Sequence, residues 1–136
     1  MKKSIILLAV IITAKIVAAQ SPTGKWKMLS HISSYDGQTF DSHKALLTQR
    51  PCAAKIIYEF NADGTYRLDA SQSGCDESYK KIQEKLWSKS TWKVNGNTLF
   101  IGGKEGIGHT YTVTFSSNKM ICKGTDGEGT ITYQKL

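Results

Sequence analysis

Much that would announce a particular chemistry is missing from this chain. Its 136 residues hold only 2 prolines and 3 cysteines, and Cys52, Cys75 and Cys122 never fall at C-x-x-C spacing. Without that spacing, and with His31, His43 and His109 scattered, no metal-ligating set is visible. The nucleophile elbow G-x-S-x-G is absent, as are paired carboxylates with a common inward direction, so no catalytic residue is expected and the chain reads as a non-enzyme. Residues 102–108 are glycine-rich and include Lys104, but G-x-x-x-x-G-K-[ST] is lacking and no helical pattern follows. That excludes a phosphate loop and leaves a strand connection. No cofactor is expected.

Charge of one sign is not concentrated either. The 18 Lys and Arg outnumber the 11 Asp and Glu, but three of the lysines, Lys2, Lys3 and Lys15, belong to a leader; 15 basic against 11 acidic residues then leave +4. Spread along the chain, this excess gives no basic stripe for nucleic acid, and no nucleic-acid partner is expected. The length suits one domain, and 40% hydrophobic residues with 12 Gly fit a folded chain rather than a disordered or low-complexity one.

Turning to what is present, Met1-Lys2-Lys3 precedes an apolar run over residues 4–14, and Val17-Ala18-Ala19-Gln20 offers small residues for cleavage after Ala19. Lys15 interrupts the run before it reaches bilayer-spanning length. The expectation is a removed leader (1–19) and an exported domain (20–136), periplasmic or secreted, with no transmembrane span after cleavage. Export permits disulfides. Cys52 precedes one predicted strand and Cys75 follows the next, so these two can meet at one end of a hairpin, leaving Cys122 as a buried thiol.

Period-two stretches bounded by turn residues cover residues 24–32, 54–60, 65–70, 88–94, 97–101, 109–115, 119–123 and 129–135. These read as eight short strands with short, hence antiparallel, connections. Four turns set the register. Asn61-Ala62-Asp63-Gly64 pairs Phe60 with Tyr66 and Tyr58 with Leu68, with Glu59 and Arg67 on the other face. Asn95-Gly96 pairs Val94 with Asn97, Trp92 with Leu99 and Ser90 with Ile101. Ser117-Asn118 pairs Phe115 with Met120 and Val113 with Cys122. Asp126-Gly127 pairs Cys122 with Ile131 and Met120 with Tyr133.

All four turns send the bulky apolar residues to one face, which a one-residue slip would not do. Helical sequence is limited to residues 41–49 and 76–87; in the second, Asp76 can cap and Tyr79, Ile82 and Leu86 recur at helical spacing. So little helix cannot cover eight strands. The sheet must close on itself, giving an all-β, eight-stranded, antiparallel up-and-down barrel with one or two short helices.

The predicted interior includes Trp26, Met28, Ile56, Tyr58, Phe60, Tyr66, Leu68, Trp92, Val94, Leu99, Ile101, Tyr111, Val113, Phe115, Met120, Cys122, Ile131 and Tyr133. Inward phenols need water, each other, or a polar group on a ligand. The candidate ligand-binding side chains are Tyr58, Phe60, Tyr66, Leu68, Trp92, Tyr111, Phe115 and Tyr133, which would desolvate a small, mainly hydrophobic molecule. His31 and His109 are placed on the outer face or at strand ends. Residues 33–53 would form a mouth loop, and the 76–87 helix a lid over the open end.

Gly24-Lys25-Trp26 resembles the G-x-W opening of lipocalins, in which the Trp closes one end of the barrel; Gly24 and Trp26 are therefore structural candidates. The longer pattern Trp26-Lys27-Met28, then Tyr58-Glu59-Phe60-Asn61-Ala62-Asp63-Gly64-Thr65-Tyr66, then Cys75, then Trp92-Lys93-Val94-Asn95-Gly96-Asn97-Thr98-Leu99 is similar to small exported bacterial lipocalin-like domains. That resemblance covers nearly the whole mature chain and implies a barrel and a disulfide between Cys52 and Cys75. A second T-D-x-x-Y motif and an arginine in the last strand, both features of larger lipocalins, are lacking here. The protein partner is unknown; alternatives to an internal ligand are a protein-binding barrel such as an exported protease inhibitor acting through the arm at residues 20–23, or a surface-associated structural or carbohydrate-binding module using Ile57, Phe100 and Ile121.

Overall fold

In the computed structural model, β1 (Gly24–Tyr35) is followed by β2 (Gln38–Asp41), α1 (Ser42–Gln49), a 3-10 turn (Pro51–Lys55), β3 (Ile57–Phe60), β4 (Thr65–Asp69), α2 (Glu77–Leu86), β5 (Ser90–Asn95), β6 (Thr98–Gly102), β7 (Gly108–Ser116), β8 (Lys119–Gly124) and β9 (Thr130–Lys135). Residues 20–103, 107–125 and 127–136 are described. The expected leader at 1–19, residues 104–106 of the glycine-rich connection and Asp126 of the last turn lie outside them.

Strands β3 to β9 pair antiparallel in sequence order, and β1 pairs with β3 on one side and β9 on the other, so eight strands close into a barrel. Closure leaves the barrel strands without a free edge. β2 is a ninth strand outside the ring. It folds back on the far end of β1, pairing Tyr35 with Gln38 and Ile32 with Asp41. The expected mouth loop at 33–53 is thus mostly regular structure, a hairpin and then α1. Asp36-Gly37 makes the turn, with φ of 48° and 73°, the left-handed pair that a two-residue hairpin turn requires. Asp41 fastens the hairpin to the helix: its Oδ1 accepts from His31 N at 3.2 Å and from Lys44 N at 3.0 Å.

Three of the four expected registers are observed. Phe60 faces Tyr66 and Tyr58 faces Leu68; Phe115 faces Met120 and Val113 faces Cys122; Cys122 faces Ile131 and Met120 faces Tyr133. The β5–β6 hairpin differs. Its turn is Gly96-Asn97, so Val94 meets Leu99 and Trp92 meets Ile101, and Ser90 lies against Tyr66 of β4. Each β5 residue therefore meets a β6 residue two places further on than expected, which preserves the side chains' facing. Val94 is the exception to the predicted interior, at 39% exposed. β5 pairs with β4 only through Ser90 and Thr91, so Val94 projects beyond the end of β4.

Two strand starts also shift. Residues 54–56 belong to the 3-10 turn and its end, where Ala53 N donates to Arg50 O and Ile56 N to Ala53 O. Residues 88 and 89 belong to the exit from α2, where Ser88 N donates to Lys85 O. Between Met28 and Ser30 the β1–β9 register shifts, with Leu29 as the extra residue. Met28 pairs with inward Tyr133, and beyond the bulge His31 pairs with inward Ile131.

The lower half of the barrel is packed solid. Phe60 sits edge-on to Tyr66, Trp92 and Tyr133 at centroid distances of 4.9, 5.9 and 6.2 Å. Leu99, Met120 and Cys122 are fully buried around them. Cys122 is a free thiol, and Cys52 is bonded to Cys75 across a separation of 23 residues.

Two outcomes follow from these contacts. Cys75→Ser lowers unfolding free energy by about 2–4 kcal/mol, because opening a loop of this size frees the unfolded chain; denaturant titration under non-reducing conditions reads the change, and an unchanged midpoint contradicts it. His43 on α1 is buried and its Nε2 has no hydrogen-bond partner among the described residues. Burial pulls its pKa below the ordinary 6.5, against the opposing charge of Asp41. The unfolded chain then takes up the proton first, so stability present above pH 6.5 is lost as the pH falls through the folded His43 value. His43→Leu makes the decline in midpoint between neutral and mildly acid pH shallower, whereas identical slopes contradict this origin.

Candidate functional site

Above the packed half, the barrel opens into a cavity of about 360 Å³. Tyr58 and Leu68 reach it from β3 and β4, Ile101 from β6, Tyr111 from β7, and Ile131 and Tyr133 from β9. The bulge in β1 adds His31 beside Met28. Its size lies at the small end of the range for small-molecule pockets. A neighbouring cleft of about 310 Å³ beneath α1 shares Met28, His31 and Tyr58 with it.

Helix α2 covers the mouth. Asp76 caps it, accepting from Tyr79 N at 2.9 Å, and also receives Arg50 Nη1 at 2.7 Å; the Arg50 guanidinium lies 4.0 Å above the Tyr79 ring. With Cys75 bonded to Cys52 immediately before the cap, the start of α2 is tied to the chain beneath α1. Further along, Glu84 Oε1 accepts from Ala70 N at 3.0 Å, and Trp87 packs edge-on to Tyr66 at 5.4 Å. These ties set the helix's rotation. Gln83 and Trp87 line the cavity, whereas Ile82 and Leu86, expected to rest on the barrel, are 53% and 66% exposed.

Of the candidate ligand-binding residues, Tyr58, Tyr66, Leu68, Tyr111 and Tyr133 meet around the cavity. Phe60, Trp92 and Phe115 do not. Phe60 is core beneath it, Trp92 donates its Nε1 to Asn61 O at 2.9 Å at the opposite end, and Phe115 borders a small cleft beside Trp26. An alternating pattern identifies an inward face but not the height along the barrel at which the interior stops being filled. Trp26 plugs the closed end, donating Nε1 to Pro22 O at 2.7 Å with Lys135 Nζ 5.5 Å from its ring; Gly24 lies two residues before it, close to the Lys135 side chain.

His31, Gln83, Trp87, His109 and Glu128 complete the wall and were not among the sequence candidates. The outward placement of His31 is corrected by the bulge, which turns it inward. His109 stands at the start of β7 opposite inward Ile101, where parity alone could have placed it. Glu128 lies between β8 and β9, with no periodicity to reveal it. His31 Nε2 donates to Glu128 O at 2.7 Å, and His109 Nδ1 is 2.7 Å from Glu128 Oε1. A carbonyl only accepts, so His31 carries a proton on Nε2.

The polar groups of this wall are tyrosine phenols, two histidines, a carboxylate and an amide. Burial pushes the Tyr58 and Tyr111 phenols up to about 12, and Tyr66 and Tyr133 well above their ordinary value. They stay neutral donors at working pH. Among the described residues, no Ser, Thr, Cys, Lys or Arg lines the cavity. The Cys122 thiol, below it, is pushed up to about 12 by burial and is inert. Among the described residues no group of three or more His, Cys, Asp or Glu could hold a metal ion, and no helix is long and apolar enough to cross a membrane.

No curated protein and no solved structure matches the chain. A family model does: the lipocalin-like domain matches residues 23–122, from the residue before β1 into β8. Only β9 lies wholly beyond the match, and it is the strand that closes the ring onto β1. Such barrels are in general non-enzymatic and binding in role. With a closed eight-stranded antiparallel barrel and a family match over most of its length, the chain belongs to the lipocalin-like domain family.

Proposed function

We propose that the protein is exported and binds a small, mainly hydrophobic molecule inside the barrel, without catalysis. The observation that carries this reading is the division of the interior into a filled lower half and a cavity of about 360 Å³ walled largely by aromatic and aliphatic side chains. Moving an apolar molecule from water onto Leu68, Ile101, Ile131 and the tyrosine rings is favourable at about 25 cal/mol per Å² of apolar surface removed from water. The neutral phenols orient whatever polar group it carries. The Cys52–Cys75 bond and the leader-like residues 1–19 are compatible with export.

The other readings find less to stand on. The arm that a protease inhibitor would extend is folded down, with Pro22 buried and its carbonyl engaged by Trp26. Ile57, Phe100 and Ile121 lie on β3, β6 and β8, which do not neighbour one another, so they form no continuous sheet-edge patch for a surface module.

Gln83→Trp places a large ring at the mouth from a half-buried helix position. Affinity for a fluorescent apolar probe is expected to fall about tenfold or more, roughly the consequence of losing 1.4 kcal/mol, while the unfolding midpoint stays near that of the native protein. Native mass spectrometry of protein recovered from its exporting cell should in addition show a retained small molecule. A probe that does not bind, or that binds Gln83→Trp equally well, contradicts the reading.

A further inference from the structure

Among the described residues, the cavity wall carries one carboxylate, Glu128, and its basic side chains are the two histidines His31 and His109. Glu128 is held from several sides. Its backbone carbonyl accepts from His31 on β1 at 2.7 Å, and its Oε1 lies 2.7 Å from His109 Nδ1 on β7. The chain just after it is pressed onto β1 at Gly129, whose φ is +81° and where any Cβ would collide with Ile32 O and Ser33 Oγ. Gly124 N closes the same loop by donating to Gly129 O at 2.8 Å. A side chain on Gly124 would meet Glu128 Cβ at 2.9 Å. Two histidines and two glycines thus fix where the carboxyl sits.

Its second oxygen has no partner. Glu128 Oε2 is buried and makes no hydrogen bond among the described residues, although Glu128 lines the cavity. A buried acceptor of that kind is costly unless a donor arrives. Among the described residues no lysine or arginine lines the cavity, so a ligand carboxylate would meet Glu128 with no fixed positive charge from them to offset the repulsion. An ammonium group instead brings donors and the opposite charge, and tyrosine faces around it add cation–π attraction.

We propose that the ligand is a small primary amine with an apolar body, its ammonium group bound by Glu128 and its body by the tyrosines, Leu68 and Ile131. This rests on the reading of the cavity as a binding site and adds the chemistry of the head group. Among the described residues, Glu128 is the polar group of the wall left with an unused acceptor in a buried place, while the phenols serve as neutral donors.

Three probes of nearly equal size separate the possibilities: phenethylamine, propylbenzene and phenylpropanoate, titrated calorimetrically into the intact folded protein near neutral pH. Native protein should bind the amine about tenfold tighter than the hydrocarbon, the scale of one charge-assisted hydrogen bond, and tighter than the acid. Glu128→Gln keeps the shape and removes the charge, and should bring the amine-to-hydrocarbon ratio close to one. Glu128→Lys should reverse the order of amine and acid. Equal binding of amine and hydrocarbon to native protein overturns the amine site while leaving the cavity reading intact, as does a preference that survives Glu128→Gln. Binding of none of the three overturns both. Since the native ranking and Glu128→Lys are independent of it, a Glu128→Gln protein that fails to fold leaves the test decisive.

Discussion

The barrel depends on β1 serving two sides at once. Its early residues pair with β3 and its middle, from Trp26 to Ile32, with β9, so this one strand joins the first hairpin to the last. Ring closure gives every barrel strand a neighbour on each side and an enclosed interior for its bulky face. The bulge at Leu29 belongs to the same constraint. It lets β1 stay paired with β9 while its far end bends toward β2, and it is why His31 rather than Ser30 looks inward. One inserted residue therefore acts at two levels, in strand geometry and in the polarity of the cavity wall.

The interior is graded from end to end. Trp26 shuts one end through Pro22, the edge-on aromatic cluster of Phe60, Tyr66 and Tyr133 fills the middle, and the space above is roofed by a helix. The roof is held differently from the walls. Strand walls are tied by continuous ladders, whereas α2 is tied by a disulfide, the Arg50–Asp76 ion pair, one carboxylate on Ala70 N and one aromatic contact. An element attached through few contacts opens at lower free energy than the sheet beneath it, which is what entry to a closed interior requires. The exposed stripe of Ile82 and Leu86 lies round that helix from Gln83 and Trp87 and does not line the cavity.

Much of this architecture was legible from residue order, for reasons particular to each segment. Asn61–Gly64 and Ser117-Asn118 carry turn chemistry strong enough to set pairing, and period two then assigns Tyr58, Leu68, Val113 and Cys122 to the inside. The β5–β6 turn slipped by one position yet kept its facing, because Asn95, Gly96 and Asn97 all tolerate a turn and only the parity is enforced by burial. Asp36-Gly37 was an equally strong hairpin signal, obscured because one partner, β2, is only four residues long. Other features leave no local trace. The bulge is a tertiary accommodation, and the rotation of α2 follows from ties to Arg50 and Ala70, distant in sequence, so hydrophobic spacing chose Ile82 and Leu86 over Gln83 and Trp87. Glu128 escaped notice because a turn residue has no periodicity, and its place at the cavity depends on histidines from β1 and β7.

The central claim is that the upper barrel is a binding space and the lower barrel is not. Methyl-resolved NMR during titration with propylbenzene tests it residue by residue. Met28, Leu68, Ile101 and Ile131 line the space, Leu99 and Val113 belong to the filled core, and Ile82 and Leu86 lie outside. The account predicts saturable shifts concentrated in the first set. Shifts confined to Ile82 and Leu86, or none at any of these methyls, would contradict it.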